Sequence, residues 1–390
     1  MQTLPANPAF ARASLPDSNE TYALLHTFSG APADGAYPEY GLTEYGGKFY
    51  GATCNGGKYN AGTVYEVSAS GAERTLYSFQ GGVDGACAYT GLVYVNGMFY
   101  GTTTGGGSQN CQVSNYQPGC GTVFAITPAG KEHVVYRFQG GPDGSTPQVT
   151  LLYMNGLLYG VTAFGANCTA CGTVFSVTTS GKEKTLYRFK SGTDGADALA
   201  PLIAVNGVMY GTTADGGKSN AGTVFSVTTS GKETVLYRFQ GGTDGEKPWA
   251  NLVEANGVLY GSTLFGGGTG CARGCGTLFS ITTAGKEKVV HSFGNGAQGS
   301  YPIAAMTYEA GALYGGTTFG ALQTCKTFKG NGCGSLFKLT TSGQFSIVHK
   351  FTGPDGAAPQ GALVPLHGAL YGTAFQGGTA DVGTIFKFTP

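Results

Sequence analysis

Short runs of alternating apolar and polar residues, separated by glycine-containing turns, extend along almost the whole chain. The segment from Leu202 to Phe239 is typical: its runs have the period of two found in half-buried strands and are rich in β-branched and aromatic residues. The runs cover 202–205, 208–213, 222–229 and 233–239. Asn-Gly, the strongest short hairpin signal, joins the first two, and Ser-Gly joins the last two. The pattern predicts four antiparallel strands, here named A to D.

This four-strand pattern recurs seven times. A motif NG-x-x-YG-x-T marks strand B, and GTVF or a close variant marks strand C of every copy. The motif tyrosines are Tyr50, Tyr100, Tyr159, Tyr210, Tyr260, Tyr314 and Tyr371. Repeats of about 50 residues with four strands each are typical of propeller blades. The sequence therefore predicts an all-β, seven-bladed β-propeller with four antiparallel strands per blade.

The two ends of the repeat region complement each other. The segment 383–388 (GTIFKF) is a strand C with no strand D after it, and 21–28 (TYALLHTF) is a strand D with no strands A to C before it. Together they complete blade seven and leave no open sheet edge. A β-solenoid, the alternative architecture, would not need complementary ends.

These patterns predict a polar N-terminal tail over 1–20 and a single propeller domain over 21–390. The blades are expected at about 39–79, 89–138, 148–189, 198–239, 248–293, 302–351, and 359–388 plus 21–28. A chain of 390 residues exceeds the size of roughly 250–300 residues at which a single core stops growing, and a repeat architecture escapes that limit.

Composition restricts the partners. Lys plus Arg equals Asp plus Glu, at 22 each, which argues against a general nucleic-acid binder and against a polybasic membrane anchor. No apolar run approaches 18 residues, so no membrane-spanning helix is expected, and the N-terminus lacks the apolar region of a signal peptide.

The ten cysteines indicate an oxidising compartment. Eight form close pairs in Gly- and Asn-rich stretches, which are Cys111 with Cys120, Cys168 with Cys171, Cys271 with Cys275, and Cys325 with Cys333. Cys54 and Cys87 lie in the B–C and D–A loops at one end of the same blade, so they can also meet. We expect five disulfides. Free thiols and a metal site are the alternatives. The pairs Cys168/Cys171 and Cys271/Cys275 have the spacing of zinc ligands, but no histidine lies nearby in the sequence to complete a site.

The combined motif NG-x-LYG-T, GTVF, SGK, LY-x-F and GG-x-DG resembles the GloVer tandem repeat of bacterial secreted proteins, over about residues 21–390. The resemblance implies an exported or cell-surface protein and no particular activity. Many members carry a C-terminal surface-sorting anchor. Because this sequence stops directly after a strand, we expect either free secretion or a chain from which the anchor has been removed.

The loops divide between two faces. The A–B and C–D turns are short and uniform, whereas the B–C and D–A loops of the opposite face vary in length and hold all ten cysteines. Variable loops on a rigid scaffold are where binding sites usually lie. We call the surface formed by the B–C and D–A loops the loop face.

Two sets of aligned positions on the loop face vary in residue type. The loop ring, five residues after each motif tyrosine, is Asn55, Gly105, Phe164, Asp215, Phe265, Phe319 and Gln376. The axial ring, where strand A enters near the central axis, is Glu39, Tyr89, Gln148, Leu199, Trp249, Ile303 and Gln360. All members except Asn55, Gly105, Leu199 and Ile303 are candidate ligand-binding residues, together with Glu246 and Lys247.

Trp249 is the only tryptophan, and Glu246 and Lys247 lie beside it in the sequence. An aromatic ring with hydrogen-bonding neighbours can stack on a sugar face. The alternative is that the ring residues only fill the central channel or pack under loops.

Two further sets repeat with substitutions. An aspartate ring, replaced by Gln298 in blade six, comprises Asp34, Asp84, Asp143, Asp194, Asp244 and Asp355. Its carboxylates could bind calcium, but Asp-Gly is also ordinary turn chemistry, so no cofactor is expected. One position of strand D is His26, Tyr77, Tyr136, Tyr187, Tyr237, His291 and His349. Histidine replaces tyrosine in three copies, and we interpret these histidines as packing residues of the outer strand.

Motifs of established chemistry are absent from the sequence: there is no HExxH, Walker A or G-x-S-x-G motif. Rim carboxylates could act as an acid–base pair, but nothing selects two of Glu39, Asp197, Asp215 and Glu246. Three hypotheses remain. They are a secreted module that binds a glycan or a surface protein, a structural or self-assembling extracellular protein, and a polysaccharide lyase or hydrolase.

Overall fold

The computed structural model describes residues 20–111, 118–165, 171–294, 296–322, 325 and 332–390. Seven antiparallel sheets form blades with four strands A to D each, so the predicted seven-bladed β-propeller is confirmed. The sheet of blade seven has a fifth short strand, Ala357–Pro359, and two small sheets pair Gly35–Ala36 with Asn55–Gly56 and Gly195–Ala196 with Asp215–Gly216. Among the described residues there is no α-helix, and three one-turn 3₁₀ segments lie in D–A loops at Gly82–Asp84, Gly141–Asp143 and Gly242–Asp244.

The strands follow the predicted order A, B, C, D in every blade. They are Thr43–Tyr45, Lys48–Thr53, Thr63–Ser68 and Glu73–Ser78 in blade one; Val93–Val95, Met98–Thr103, Thr122–Ile126 and Glu132–Arg137 in blade two; Leu152–Met154, Leu157–Thr162, Thr173–Val177 and Glu183–Arg188 in blade three; Ile203–Val205, Val208–Thr213, Thr223–Val227 and Glu233–Arg238 in blade four; Val253–Ala255, Val258–Thr263, Thr277–Thr282 and Glu287–Ser292 in blade five; Thr307–Glu309, Ala312–Thr317, Ser335–Thr340 and Phe345–Lys350 in blade six; and Val364–Leu366, Ala369–Gln376, Thr384–Thr389 and Thr21–Thr27 in blade seven.

Blade seven is closed by both ends of the repeat region. Strand Thr21–Thr27 pairs antiparallel with Thr384–Thr389, with Tyr22 opposite Phe388 and Leu24 opposite Phe386. The outer strand of the last blade therefore comes from the beginning of the propeller, as predicted.

The core lies in the seams between consecutive blades. In each seam, the last aromatic residue after strand D contacts the aromatic residue of the next GTVF motif, with ring centroids 5.0 to 5.6 Å apart. The pairs are Phe28 with Tyr65, Phe79 with Phe124, Phe138 with Phe175, Phe189 with Phe225, Phe239 with Phe279, Phe293 with Phe337, and Phe351 with Phe386. All fourteen rings are fully buried. The two repeated motifs are thus the two sides of one contact.

The glycine of the YG motif leaves room for this aromatic core. A Cβ atom at Gly211 would lie 2.7 Å from Cζ of Phe225 and 2.9 Å from Cδ2 of Leu202. We therefore expect Gly211→Ala to destabilise the fold by overpacking, by about 1–3 kcal/mol, in urea unfolding.

The double variant Gly211→Ala/Phe225→Leu separates overpacking from a general effect of the substitution. Shortening the Phe225 ring relieves the clash, so the double variant should lose less stability than the two single variants together. Strict additivity would contradict the steric explanation.

Candidate functional site

The B–C and D–A loops form one surface because a short antiparallel bridge joins them in every blade. Each bridge pairs a loop-ring residue with the residue two positions after the blade's aspartate, or after Gln298 in blade six. The pairs are Asn55 with Ala36, Gly105 with Ala86, Phe164 with Ser145, Asp215 with Ala196, Phe265 with Glu246, Phe319 with Ser300, and Gln376 with Ala357. The loop ring is therefore held in a fixed position on the loop face.

The residue after each bridge has a left-handed backbone in all seven blades, with φ between 53° and 60°. These residues are Tyr37, Cys87, Thr146, Asp197, Lys247, Tyr301 and Ala358. Side chains rarely adopt this conformation, and it persists where the surroundings impose it. Here the N–H of Lys247 donates to the carbonyl of Ala221 at 2.8 Å, and that of Tyr301 to the carbonyl of Cys275 at 2.8 Å. Sequence reasoning missed this variable position, although it always precedes Pro or Ala.

Residues from six blades line one cavity of about 460 Å³, which therefore lies on the propeller axis. Its seven aromatic side chains are Tyr40, Tyr89, Trp249, Phe265, Tyr301, Phe319 and Phe375. The polar lining residues are Glu39, Asn251, Thr318 and Gln360. Two loop-ring phenylalanines line it, so it belongs to the loop-face end of the channel. Trp249 is 39% exposed, the most accessible aromatic of this set.

The cavity brings together half of the twelve candidate residues. Four come from the axial ring and two from the loop ring, and they are Glu39, Tyr89, Trp249, Gln360, Phe265 and Phe319. The aromatic residues that sequence reasoning missed are Tyr40, Tyr301 and Phe375. Each lies next to, or two residues from, a position that the repeat alignment had singled out.

The other six candidates lie outside the cavity lining. Phe164 packs on buried Leu199, and Gln376 is itself buried. Gln148 is half-buried and is not among the lining residues. The remaining three, Glu246, Lys247 and Asp215, form ion pairs on the loop face.

Among the described residues, Glu39 is the one charged side chain that lines the cavity. Burial, with no compensating cation or hydrogen bond, raises the pKa of this carboxyl well above its usual range. Burial and the adjacent Glu39 also raise the pKa of Tyr40, whose hydroxyl donates to the carbonyl of Leu199 at 3.4 Å. The cavity is therefore mainly apolar, with one carboxyl group that favours its neutral form.

A charged patch lies on the loop face where blades four and five meet. Lys247 forms an ion pair with Asp215, and Arg273 forms one with Glu246. The Arg273 guanidinium also lies 4.2 Å from the ring centre of Phe265, a cation–π contact. This contact joins the charged patch to the wall of the cavity.

Asp197 lies beside Asp215 in this patch and, among the described residues, forms no ion pair. Burial and the neighbouring Asp215 raise its pKa to about 6, although Lys247 opposes the shift. Because Asp215 and Glu246 are already ion-paired, the geometry does not select an acid–base pair from the four rim carboxylates.

The aspartate ring is committed to hydrogen bonds within the seams. In blades one to four, the strand D tyrosine donates at 2.6 to 2.9 Å to the aspartate of the D–A loop that follows it, and a glutamate that opens strand D of the next blade lies beside that aspartate. We call these groups seam clusters: Tyr77, Asp84 and Glu132; Tyr136, Asp143 and Glu183; Tyr187, Asp194 and Glu233; and Tyr237, Asp244 and Glu287. Sequence reasoning found the aspartates and tyrosines but not the glutamates.

The structure contains four of the predicted disulfides: Cys54–Cys87, Cys111–Cys120, Cys271–Cys275 and Cys325–Cys333. Cys171 is also disulfide-bonded, whereas its predicted partner Cys168 lies outside the described residues. The disulfides indicate an oxidising compartment. Within the described part of the chain, no helix has the length and hydropathy needed to cross a membrane.

The fold and its repeats define a disulfide-braced β-propeller built from a tandem repeat. The chain belongs to the Gloeobacter/Verrucomicrobia repeat family, whose sequence profile matches residues 110–273 and 269–390. This finding confirms the resemblance seen in the repeat motifs. No curated protein matches the chain.

Solved structures with a similar fold share little sequence with this chain. The aldose sugar dehydrogenase from Streptomyces coelicolor in its PQQ-bound form is 11% identical, covering 96% of this chain and 99% of that one, with a TM-score of 0.46. The gluconolactonase XC5397 from Xanthomonas campestris is 12% identical, covering 69% and 78%, with a TM-score of 0.42. The tricorn protease is 12% identical, covering 80% of this chain and 26% of that one, with a TM-score of 0.43. This chain therefore spans about a quarter of the tricorn protease. These similarities say nothing about chemistry.

Proposed function

We propose that this protein is a secreted binding module that takes a glycan into the axial cavity. The observation that carries the proposal is the cavity itself, where seven aromatic side chains from different blades surround a few polar groups. The faces of sugar rings are apolar enough to stack on aromatic side chains, while their hydroxyls need hydrogen-bonding partners. Asn251, Gln360 and a neutral Glu39 offer both donors and acceptors.

The size of the site favours a glycan over a surface protein. A cavity of about 460 Å³ falls in the usual range for small-ligand pockets, roughly 300–1,000 Å³. Protein partners, in contrast, usually bury about 800 Å² of a broader surface. The disulfides support export, because they form and persist in oxidising environments.

The test is a glycan and polysaccharide array that compares the wild type with Trp249→Ala. We expect the variant to lose at least about tenfold in affinity, the loss typical of a buried aromatic contact. Tyr153→Ala is the matched control, since Tyr153 is an aromatic residue of similar exposure, 38% against 39%, on strand A of blade three and outside the cavity.

Two results would overturn the proposal. One is equal glycan retention by the wild type and Trp249→Ala, with both variants shown to be folded by thermal unfolding. The other is the absence of glycan binding by the wild type across the array, which would favour protein partners or self-assembly.

A further inference from the structure

Three of the seven seams carry histidine instead of tyrosine on strand D, and their surroundings differ. In the seam of His291, Gln298 stands at the sequence position of the aspartate, and the His291 ring stacks on Phe345, which replaces the glutamate, at 3.8 Å. His349 contacts Asp355 at 3.0 Å and stacks on Tyr22 at 3.9 Å. In both seams an aromatic ring therefore occupies the place beside the imidazole.

The seam between blades seven and one is different because it keeps both carboxylates. His26 replaces the tyrosine, Asp34 is the aspartate of the D–A loop that leads into blade one, and Glu73 opens strand D of blade one. One ligand atom from each of these residues lies within 4.8 Å of the other two. In the described part of the chain, this is the one group of three His, Cys, Asp or Glu side chains that meets so closely.

The separation of His26 and Asp34 fits a shared metal ion better than a simple hydrogen bond. Nε2 of His26 lies 3.4 Å from Oδ2 of Asp34, beyond the usual 2.7–3.2 Å of an N–H···O bond. Zinc–ligand bonds of about 2.0–2.2 Å in a tetrahedron place neighbouring ligand atoms about 3.3–3.6 Å apart. At His349, where the glutamate is missing, the same pair of atoms is at 3.0 Å.

Two features prepare the carboxylates for a cation. The backbone N–H groups of Ser29 and Gly35 donate to Asp34 at 2.8 and 2.6 Å, which fixes the orientation of that carboxylate. Within the described residues, Oε1 of Glu73 is buried and has no hydrogen-bond partner. The same holds for Oε1 of Glu132, Glu233 and Glu287, but only beside Glu73 does a histidine complete the group. A divalent cation would satisfy this oxygen and offset the repulsion between the two carboxylates.

We propose that His26, Asp34 and Glu73 bind a divalent transition-metal cation, with zinc as the type case, in the seam between blades seven and one. Imidazole nitrogen and carboxylate oxygens are ordinary zinc ligands, and three protein ligands leave a fourth position for water. Strand Thr21–Thr27 carries His26, and strand Glu73–Ser78 begins with Glu73. The cation therefore links the N-terminal strand to blade one at the point where the propeller closes.

The experiment is calorimetric titration of ZnCl₂ into EDTA-treated, dialysed full-length protein, wild type and His26→Tyr. The four seam clusters already accommodate tyrosine beside Asp and Glu, so this variant should fold. We expect at least about a tenfold loss of zinc affinity in His26→Tyr. Zinc should raise the melting temperature of the wild type by several degrees and leave that of the variant unchanged.

Two further variants make the test specific. His349→Tyr is the matched control and should bind zinc like the wild type, because its seam lacks the glutamate. Tyr77→His should add a second zinc equivalent, because Asp84 and Glu132 are already in place. Absence of zinc binding by the wild type, or equal binding by wild type and His26→Tyr, would overturn the proposal and leave His26 as a hydrogen-bond donor to Asp34.

Discussion

Removal of residues 1–28 is expected to abolish cooperative folding of the propeller. The deletion takes away strand Thr21–Thr27, which supplies all pairing to the outer edge of Thr384–Thr389. It also removes Phe28, a fully buried ring that contacts Tyr65 across the closing seam. Loss of a buried phenylalanine side chain alone costs about 3–5 kcal/mol, and domains are stable by only about 5–15 kcal/mol.

The measurement is urea unfolding, with far-UV circular dichroism and size-exclusion chromatography as the two probes of the transition. A variant that lacks residues 1–19 is the control, because it keeps the whole strand, and it should unfold like the full chain. A peptide of residues 20–36 added to the 1–28 deletion should restore a cooperative transition by pairing with the open edge. A cooperative transition at the wild-type midpoint without the peptide would show that closure does not stabilise the fold.

The fold could be predicted because its determinants are local and repeated seven times. Asn96, Asn206 and Asn256, each before a glycine in an A–B turn, all have positive φ, as type I′ turns require. Strand pairing then follows from turn position and from the alternation of apolar residues. Closure could be predicted for the same reason: an unpaired strand C at one end and an unpaired strand D at the other leave one arrangement without open edges.

The cavity could be predicted only in part because it depends on residues far apart in the sequence. The axial ring gave Glu39, Tyr89, Trp249 and Gln360, since these positions stand out as variable within a repeated motif. Tyr301 escaped notice because the residue type at its position changes from blade to blade, and the following Pro or Ala is a weak signal of its left-handed backbone.

The seams show a second reason for partial success. The substitutions at His291 and Gln298 were visible separately, but Phe345 was not connected with them because it belongs to the next blade. Only the structure shows that aromatic residue, aspartate and glutamate form one group and that all three change together in one seam.

Those seam glutamates predict that the protein is more stable at pH 5 than at pH 8. Burial, followed by the neighbouring aspartate, raises the pKa of Glu132, Glu233 and Glu287 to about 7, and burial also raises that of Glu183. A raised folded-state pKa favours the protonated form in the fold. The stabilisation is therefore complete below the unfolded value near 4.5 and is lost as the pH rises through about 7.

Other groups modify this profile without reversing it. Burial and Asp215 raise the pKa of Asp197 to about 6, which acts in the same direction. Burial lowers the pKa of His291 to about 4, so the contribution of this side chain to the stability of the fold decreases as the pH falls below 6.5. Hydrogen bonds from His349 and Thr352 outweigh burial and lower the pKa of Asp355. The stabilisation that Asp355 contributes is therefore lost only at pH values below its ordinary pKa of 3.8. The maximum should therefore lie near pH 5.

The free energy of unfolding, measured in urea at pH 5 and pH 8, tests this prediction. Each seam glutamate is partly exposed, so its contribution is on the order of 1 kcal/mol after solvent screening. Glu233→Gln should stabilise the protein by about that amount at pH 8 and have little effect at pH 5, because the amide resembles the neutral acid. Glu309→Gln, in strand A of blade six, is the control and should change stability equally at both pH values. Stability that stays constant or increases from pH 5 to pH 8, or a Glu233→Gln variant that is destabilised equally at both, would show that the seam glutamates are ionised in the fold.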